Sequence, residues 1–163
     1  MTASQDTRHV ADATSPQPSD TGQAETGLGS QPRSGPIGRI LIVEDEGNIL
    51  EALSFILGRA GWDVRGHGKG DDALEEIARL TPDMLVLDVM LPGRSGFDIL
   101  ADLRAQPETK SLPVLMLTAK GQAKDREHAM ALGANGFLTK PFSNAELLET
   151  VAAMGTEIPT VER

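Results

Sequence analysis

Short apolar runs alternate along this chain with stretches in which apolar residues recur at helical spacing, from Ile37 to about Gly155. An unbroken run of four or five apolar residues is typical of a strand that is covered on both faces, as in a parallel sheet. Five runs have this character, the second more weakly than the others. They are Arg39–Val43, Trp62–Gly66, Asp83–Asp88, Pro113–Thr118 and Gly136–Lys140.

Each run is followed by a segment whose apolar residues lie on one helical face, the pattern of a helix that packs on a core. These positions are Ile49, Leu50, Leu53, Ile56 and Leu57 in the first segment, Ala73, Leu74, Ile77 and Ala78 in the second, Phe97, Leu100 and Leu103 in the third, Ala129, Met130 and Leu132 in the weaker fourth, and Leu147, Leu148, Val151 and Ala152 in the fifth. Strand and helix therefore alternate five times. This alternation predicts an α/β fold with a doubly wound parallel sheet and right-handed crossovers.

The first 36 residues differ from the rest in composition. They consist mainly of Ser, Thr, Gln, Gly, Pro and Ala, and Val10 and Leu28 are nearly their only large apolar side chains. Such a segment cannot bury enough surface to offset its ordering entropy. We expect a disordered extension over residues 1–36, one folded domain over 38–156 and a short tail over 157–163.

Charge and composition exclude several function classes. The formal charge of −9 repels nucleic acid and anionic lipid, so neither is an expected partner. No cysteine is present, which excludes disulfides, thiolate metal sites and a thiol nucleophile. No signal peptide, myristoylation site or apolar stretch of membrane-spanning length is found, and we expect a cytoplasmic protein without membrane insertion.

Polar residues close the apolar runs at one edge of the predicted sheet. Glu44 and Asp45 follow the first run, Asp88 closes the third, Thr118 the fourth and Lys140 the fifth. Ligands of open α/β sheets bind at the carboxyl ends of the strands, where the strand order reverses. In the order 2-1-3-4-5 the reversal lies between strands one and three, which carry the acids.

Three carboxylates at this edge need compensation. At about 4 Å and an effective dielectric constant of about 20, each like-charged pair costs about 4 kcal/mol. Lys140 supplies one positive charge, and Mg²⁺ suits the remainder because it binds carboxylates while keeping sites for water or phosphate. The cluster therefore favours phosphoryl transfer, with Asp88 as the nucleophile and the Thr118 hydroxyl as a donor to the transferred group.

Four motifs carry a family resemblance. VEDE, LVLDVMLPGRSG, LMLTAK and GANGFLTKPF occur in this order, with 30 residues from Asp88 to Thr118 and 22 from Thr118 to Lys140. From about Gly38 to Gly155 the chain resembles the receiver domain of bacterial two-component response regulators. The resemblance implies a flavodoxin-like fold with a five-stranded parallel sheet in the order 2-1-3-4-5 and five helices.

The resemblance also implies a role for each acid. Asp88 accepts a phosphoryl group from a phosphohistidine on a histidine kinase or histidine phosphotransfer protein. Asp45, Asp88 and the backbone carbonyl of Met90 hold Mg²⁺, and Glu44 assists directly or through water. Such domains catalyse their own phosphorylation from small phosphodonors and their own dephosphorylation without being conventional enzymes, at rates that Met90 and Lys120 tune.

The same resemblance assigns the switching residues. Lys140 pairs with the phosphoryl oxygens, Thr118 moves to hydrogen-bond the phosphoryl group, and Phe137 turns inward behind it. The Lys140-Pro141 bond is expected to be cis. Two departures are mild: Glu44 stands where many members carry Asp, and Phe137 replaces the commoner Tyr, so its phenolic hydroxyl is missing.

The expected output is protein binding. Only one helix and a short tail follow Lys140, so we expect a stand-alone receiver that signals through its fourth helix, fifth strand and fifth helix to a protein the sequence does not identify. The alternative is a degenerate receiver that binds proteins without phosphorylation. Flavodoxins and haloacid dehalogenase phosphatases are disfavoured, because acids follow strand one and Met90 stands where the phosphatases carry a second Asp. The charged stretch from Lys124 to Glu127 is interpreted as a solvated helix face.

Overall fold

The computed structural model of the protein describes residues 35–119 and 123–155. The predicted tail and most of the predicted extension, together with Lys120, lie outside these residues. Strands and helices alternate as expected. Their bounds are β1 Arg39–Val43, α1 Gly47–Arg59, β2 Asp63–His67, α2 Ala73–Leu80, β3 Met84–Asp88, α3 Gly96–Ala105, β4 Val114–Ala119, α4 Ala123–Ala131, β5 Gly136–Lys140 and α5 Asn144–Gly155.

The five strands form one parallel sheet in the order β2-β1-β3-β4-β5. The predicted fold class is therefore confirmed, including the reversal between β1 and β3. All five residues of β3 are buried, whereas β2 lies at an edge and has no buried residue. This exposure explains why the second apolar run was the weakest in the sequence.

Successive strand residues point to opposite faces of the sheet, so alternate residues pack into two separate hydrophobic cores. Leu41, Val43 and the residues facing the same way pack with α2, α3 and Ala129 of α4. Ile40 and Ile42 face the opposite side and pack with α1 and α5. The sheet is thus covered on both faces, and its strand ends are left to form a site.

Most predicted core positions are buried or half-buried, but four are exposed and were predicted wrongly. Each of the four directly follows a buried residue on the same helix. Consecutive residues point about 100° apart around a helix, so the second member of each pair leaves the narrow strip that faces the sheet. The exposed residues are Ala78, Met130, Leu148 and Ala152.

The connection from β5 to α5 has a defined geometry. The Lys140-Pro141 peptide bond is cis, as expected. A capping box then begins α5: the Ser143 amide donates to the Glu146 carboxylate at 3.1 Å, and the Glu146 amide donates to the Ser143 hydroxyl at 3.1 Å. The end of β5 that carries Lys140 is therefore followed at once by an ordered turn.

Candidate phosphoryl-transfer site

The three carboxylates lie together at the carboxyl edge of the sheet. Val43 of β1 pairs with Leu87 of β3, so Glu44 and Asp88, the next residues, are brought side by side. One carboxylate oxygen from each of Glu44, Asp45 and Asp88 lies within 4.8 Å of the others. Glu44 is 0% exposed and Asp88 3% exposed, whereas Asp45 is open to solvent.

Lys140 bridges the two buried carboxylates. Its Nζ donates to Oε2 of Glu44 at 2.8 Å and to Oδ2 of Asp88 at 2.8 Å. Burial lowers the pKa of Lys140, but the two carboxylates outweigh burial and hold that pKa above its ordinary value. The ammonium is therefore a permanent positive charge between two buried acids.

The environment of Glu44 penalises its charged form. Burial, with a contribution from the neighbouring Asp88 carboxylate, raises the pKa of Glu44 from 4.5 to about 7. The hydrogen bonds from Lys140 and the Glu46 amide act in the opposite direction but do not compensate. Without a further cation, Glu44 is thus partly protonated near neutral pH.

Backbone groups orient both buried carboxylates. The Met90 amide donates to Oδ1 of Asp88 at 3.0 Å, and the Glu46 amide donates to Oε1 of Glu44 at 3.1 Å. The Met90 side chain is 71% exposed beside this edge. At Gly96, the first residue of α3, a Cβ would come within 2.2 Å of the Asp88 carbonyl oxygen. Glycine is required there for α3 to approach the strand end.

Thr118 and Phe137 lie outside this cluster of contacts. Thr118 is 1% exposed, and its hydroxyl donates to Oδ2 of Asp125 at 3.1 Å. Phe137 is half-buried and packs against the core on the α2–α3 side of the sheet.

Asp125 was interpreted as part of a solvated helix face, and this was wrong, because it is half-buried and accepts the hydrogen bond from Thr118. Nothing in the sequence indicates the contact, which depends on where α4 begins relative to β4.

The donor set fits Mg²⁺. Three carboxylates against one ammonium leave a formal charge of −2, which matches a divalent cation, and oxygen is the ligand that Mg²⁺ prefers. Asp45, the exposed member, leaves the group accessible from solvent.

Residues 40–152 match the family model described as the response regulator receiver domain. The chain belongs to this family. Among curated relatives, the phosphate regulon transcriptional regulatory protein PhoB of Rhizobium meliloti is 41% identical over 116 residues, which are 71% of this chain and 51% of PhoB. The probable transcriptional regulatory protein TcrX of Mycobacterium tuberculosis is 40% identical over 125 residues, 76% of this chain and 53% of TcrX.

Solved receiver structures share the fold. The chemotaxis response regulator CheY4 of Vibrio cholerae matches with a TM-score of 0.67 and 32% identity, covering 71% of this chain and 97% of that one. The beryllofluoride-activated N-terminal receiver domain of Klebsiella pneumoniae RstA matches with a TM-score of 0.68 and 31% identity, covering 73% and 99%. The receiver domain thus accounts for nearly all of residues 35–155.

The receiver chain spans about half the length of the curated relatives it matches. Its expected stand-alone character and lack of nucleic-acid partners therefore stay predictions, as does the cytoplasmic location. None of the helices within residues 35–119 and 123–155 combines the length and hydropathy that a membrane crossing requires.

Proposed function

We propose that this receiver takes a phosphoryl group on Asp88 from a phosphohistidine of a histidine kinase or histidine phosphotransfer protein. The observation that carries the proposal is the bridge from Lys140 to Glu44 and Asp88, both at 2.8 Å, within a cluster of three carboxylates. Burying like charges side by side costs free energy through desolvation and repulsion, so such a cluster is expected only where it serves a function. Phosphoryl transfer provides that use.

The transfer step balances without an added reactant. A carboxylate oxygen of Asp88 forms a bond to phosphorus as the bond from phosphorus to the imidazole nitrogen breaks, and the imidazole keeps the electron pair. Lys140 offsets the charge of the phosphoryl oxygens, and the Thr118 hydroxyl donates to one of them. The Met90 amide holds the other oxygen of Asp88 in place while the bond forms.

In this proposal Asp45, Asp88 and the backbone carbonyl of Met90 would hold Mg²⁺, with Glu44 assisting directly or through water. When bound, Mg²⁺ supplies the positive charge that one lysine cannot provide to three carboxylates and a phosphate. The raised pKa of Glu44 is consistent with a site that has a deficit of positive charge.

The signal is proposed to leave through α4, β5 and α5. Phosphorylation adds about 1.5–2 negative charges, and contacts of Thr118 and Lys140 with the new group favour one of two arrangements of this face. Phe137 is only half-buried, so an inward turn would remove further apolar surface from water. Met130 and Leu148, 49% and 37% exposed, offer apolar surface there for a protein partner.

Labelling tests the acceptor. With Mg²⁺ and acetyl phosphate, we expect intact-mass spectrometry to detect one added phosphoryl group on the wild type and none on Asp88→Asn. Asp98→Asn, the same change at an exposed position in the first turn of α3, is the control and should label like the wild type. Label on Asp88→Asn would reassign the acceptor. An unlabelled wild type would favour the alternative, a receiver that binds proteins without phosphorylation.

A further inference from the structure

The Thr118 hydroxyl has a partner that the proposed function does not use. It is buried at the end of β4, and it donates to Oδ2 of Asp125 at 3.1 Å. Asp125 lies in the first turn of α4 and is half-buried. A threonine hydroxyl carries a single proton, so it donates one strong hydrogen bond at a time. While it donates to Asp125, it is not available to another acceptor.

The proposed function gives that same proton a second acceptor, and the inference rests on the proposed function for this reason. A phosphoryl oxygen on Asp88 would compete with Asp125 for the hydroxyl. The two acceptors also repel each other, because the phosphoryl group adds about 1.5–2 negative charges near a carboxylate. The two hydrogen bonds of Thr118 are therefore mutually exclusive, one for each phosphorylation state.

Release of Asp125 costs no more than the net value of one hydrogen bond, because it leaves no buried, unsatisfied carboxylate. The carboxylate is only half-buried, so water can replace the lost donor. It also sits in the first turn of a helix, where the macrodipole favours an anion whether or not Thr118 is bound. The balance between the two hydrogen bonds of Thr118 is then set mainly by whether a phosphoryl group is present.

Helix α4, which contains Asp125, buries little of its surface and is held by few specific contacts. Of its nine residues only Ala129 is buried, and His128 contacts the Phe97 ring at a centroid distance of 4.5 Å. Just beyond its last turn, Nε of Arg104 donates to the Gly133 carbonyl at 3.0 Å. Loss of the Thr118 bond would thus free the first turn while the far end stays anchored.

We propose that Asp125 is a positioning residue that holds the Thr118 hydroxyl in the unphosphorylated arrangement and ties the first turn of α4 to β4. It acts through Thr118 and opposes phosphorylation. When a phosphoryl group occupies Asp88, the Thr118 hydroxyl donates its hydrogen bond to that group instead of to Asp125. The first turn of α4 is then no longer bonded to β4. The release connects the acceptor to the proposed output face.

Beryllofluoride binding in the presence of Mg²⁺ tests this, measured by ¹⁹F NMR titration of the full chain. Removing the competing acceptor with Asp125→Ala should tighten binding by about fivefold, the effect of about one hydrogen bond. Alanine is favourable within a helix, so α4 should persist, and circular dichroism checks that the total helix content is unchanged. Glu127→Ala removes an exposed acid from the same helix and should leave the affinity within twofold.

A double-mutant cycle separates positioning from a general structural effect. In a Thr118→Val background there is no hydroxyl to compete for, so Asp125→Ala should no longer tighten binding. Equal tightening with and without the hydroxyl, or equal tightening by Glu127→Ala, would overturn the role of Asp125. A wild type that binds no beryllofluoride would overturn the proposed function, and this inference with it. A wild type that binds and an Asp125→Ala variant of unchanged affinity would overturn the inference alone.

Discussion

At the scale of single residues, the site balances charge by sharing one lysine between two buried acids. The shared ammonium does not cancel the penalty, because Glu44 is fully buried and its pKa rises to about 7. The exposed Asp45 adds a third anion at the same edge. With only Lys140 to compensate them, the three acids are therefore unfavourable for the fold, as is common where binding or chemistry needs such a group of charges.

This imbalance gives a pH-dependent prediction for the protein in EDTA. A carboxyl whose pKa is 4.5 unfolded and about 7 folded binds its proton more tightly in the folded state. Its contribution to stability is therefore complete below pH 4.5 and is lost as the pH rises to about 7. Glu44→Gln mimics the protonated form, so its stability relative to the wild type should increase between pH 5 and pH 8 by about 1–3 kcal/mol.

Urea unfolding at several pH values measures this difference. Glu51→Gln, which removes an exposed carboxylate from α1, should show no such trend. If the free energy of unfolding of wild type and Glu44→Gln changed with pH in parallel, burial would not penalise the charged form of Glu44.

At the scale of elements, much of the arrangement was predictable, because each strand corresponds to an apolar run and the site residues stand where these runs end. Asp88 and Lys140 were expected at one edge since parallel strands end together, and their contact followed. The exposure of Met130 and the partner of Asp125 were not predictable. They depend on the rotation and starting point of α4, for which the weak apolar pattern of the helix gives no register.

Arg104 is a second feature without a sequence signal. Its guanidinium joins the end of α3 to the α4–β5 connection, donating to the Gly133 carbonyl at 3.0 Å, the Thr109 carbonyl at 3.1 Å and Oδ1 of Asn135 at 2.9 Å. The same Asn135 oxygen accepts the Val114 amide at 3.0 Å. Burial lowers the pKa of Arg104, so the protein desolvates this cation to make the junction. Gly133 and Asn135 are 29 and 31 residues away from Arg104, too distant for any periodic pattern to reveal these two contacts.

We predict that Arg104→Ala lowers the free energy of unfolding by about 2 kcal/mol, because it removes three hydrogen bonds and leaves their acceptors to be solvated. Arg104→Lys should recover little of this, since an ammonium cannot reproduce the planar fork. Urea denaturation measures both changes. Arg126→Ala, at an exposed position on α4, is the control. A loss of less than 0.5 kcal/mol, the usual size for a surface change, would show that the junction is not stabilised through Arg104.

At the scale of the described domain, the sheet is the frame that brings distant residues together. Lys140 and Glu44 are 96 residues apart in sequence, yet their side chains meet because β1, β3, β4 and β5 end at one edge. Both faces of the sheet are packed, so this edge is where polar groups can remain accessible. A ligand that binds there contacts residues from several elements and stabilises the fold as a whole.

Magnesium should therefore stabilise the folded domain by mass action. The free energy of unfolding should rise by about 1.4 kcal/mol when Mg²⁺ is at ten times its dissociation constant. Differential scanning fluorimetry over a MgCl₂ series should show a melting temperature that climbs with concentration, compared with NaCl at equal ionic strength. Asp45→Asn removes the exposed carboxylate and should flatten the MgCl₂ series. If NaCl raises the melting temperature as much as MgCl₂, or Asp45→Asn responds like the wild type, the three carboxylates do not form a magnesium site, since general screening of surface charge would then account for the effect.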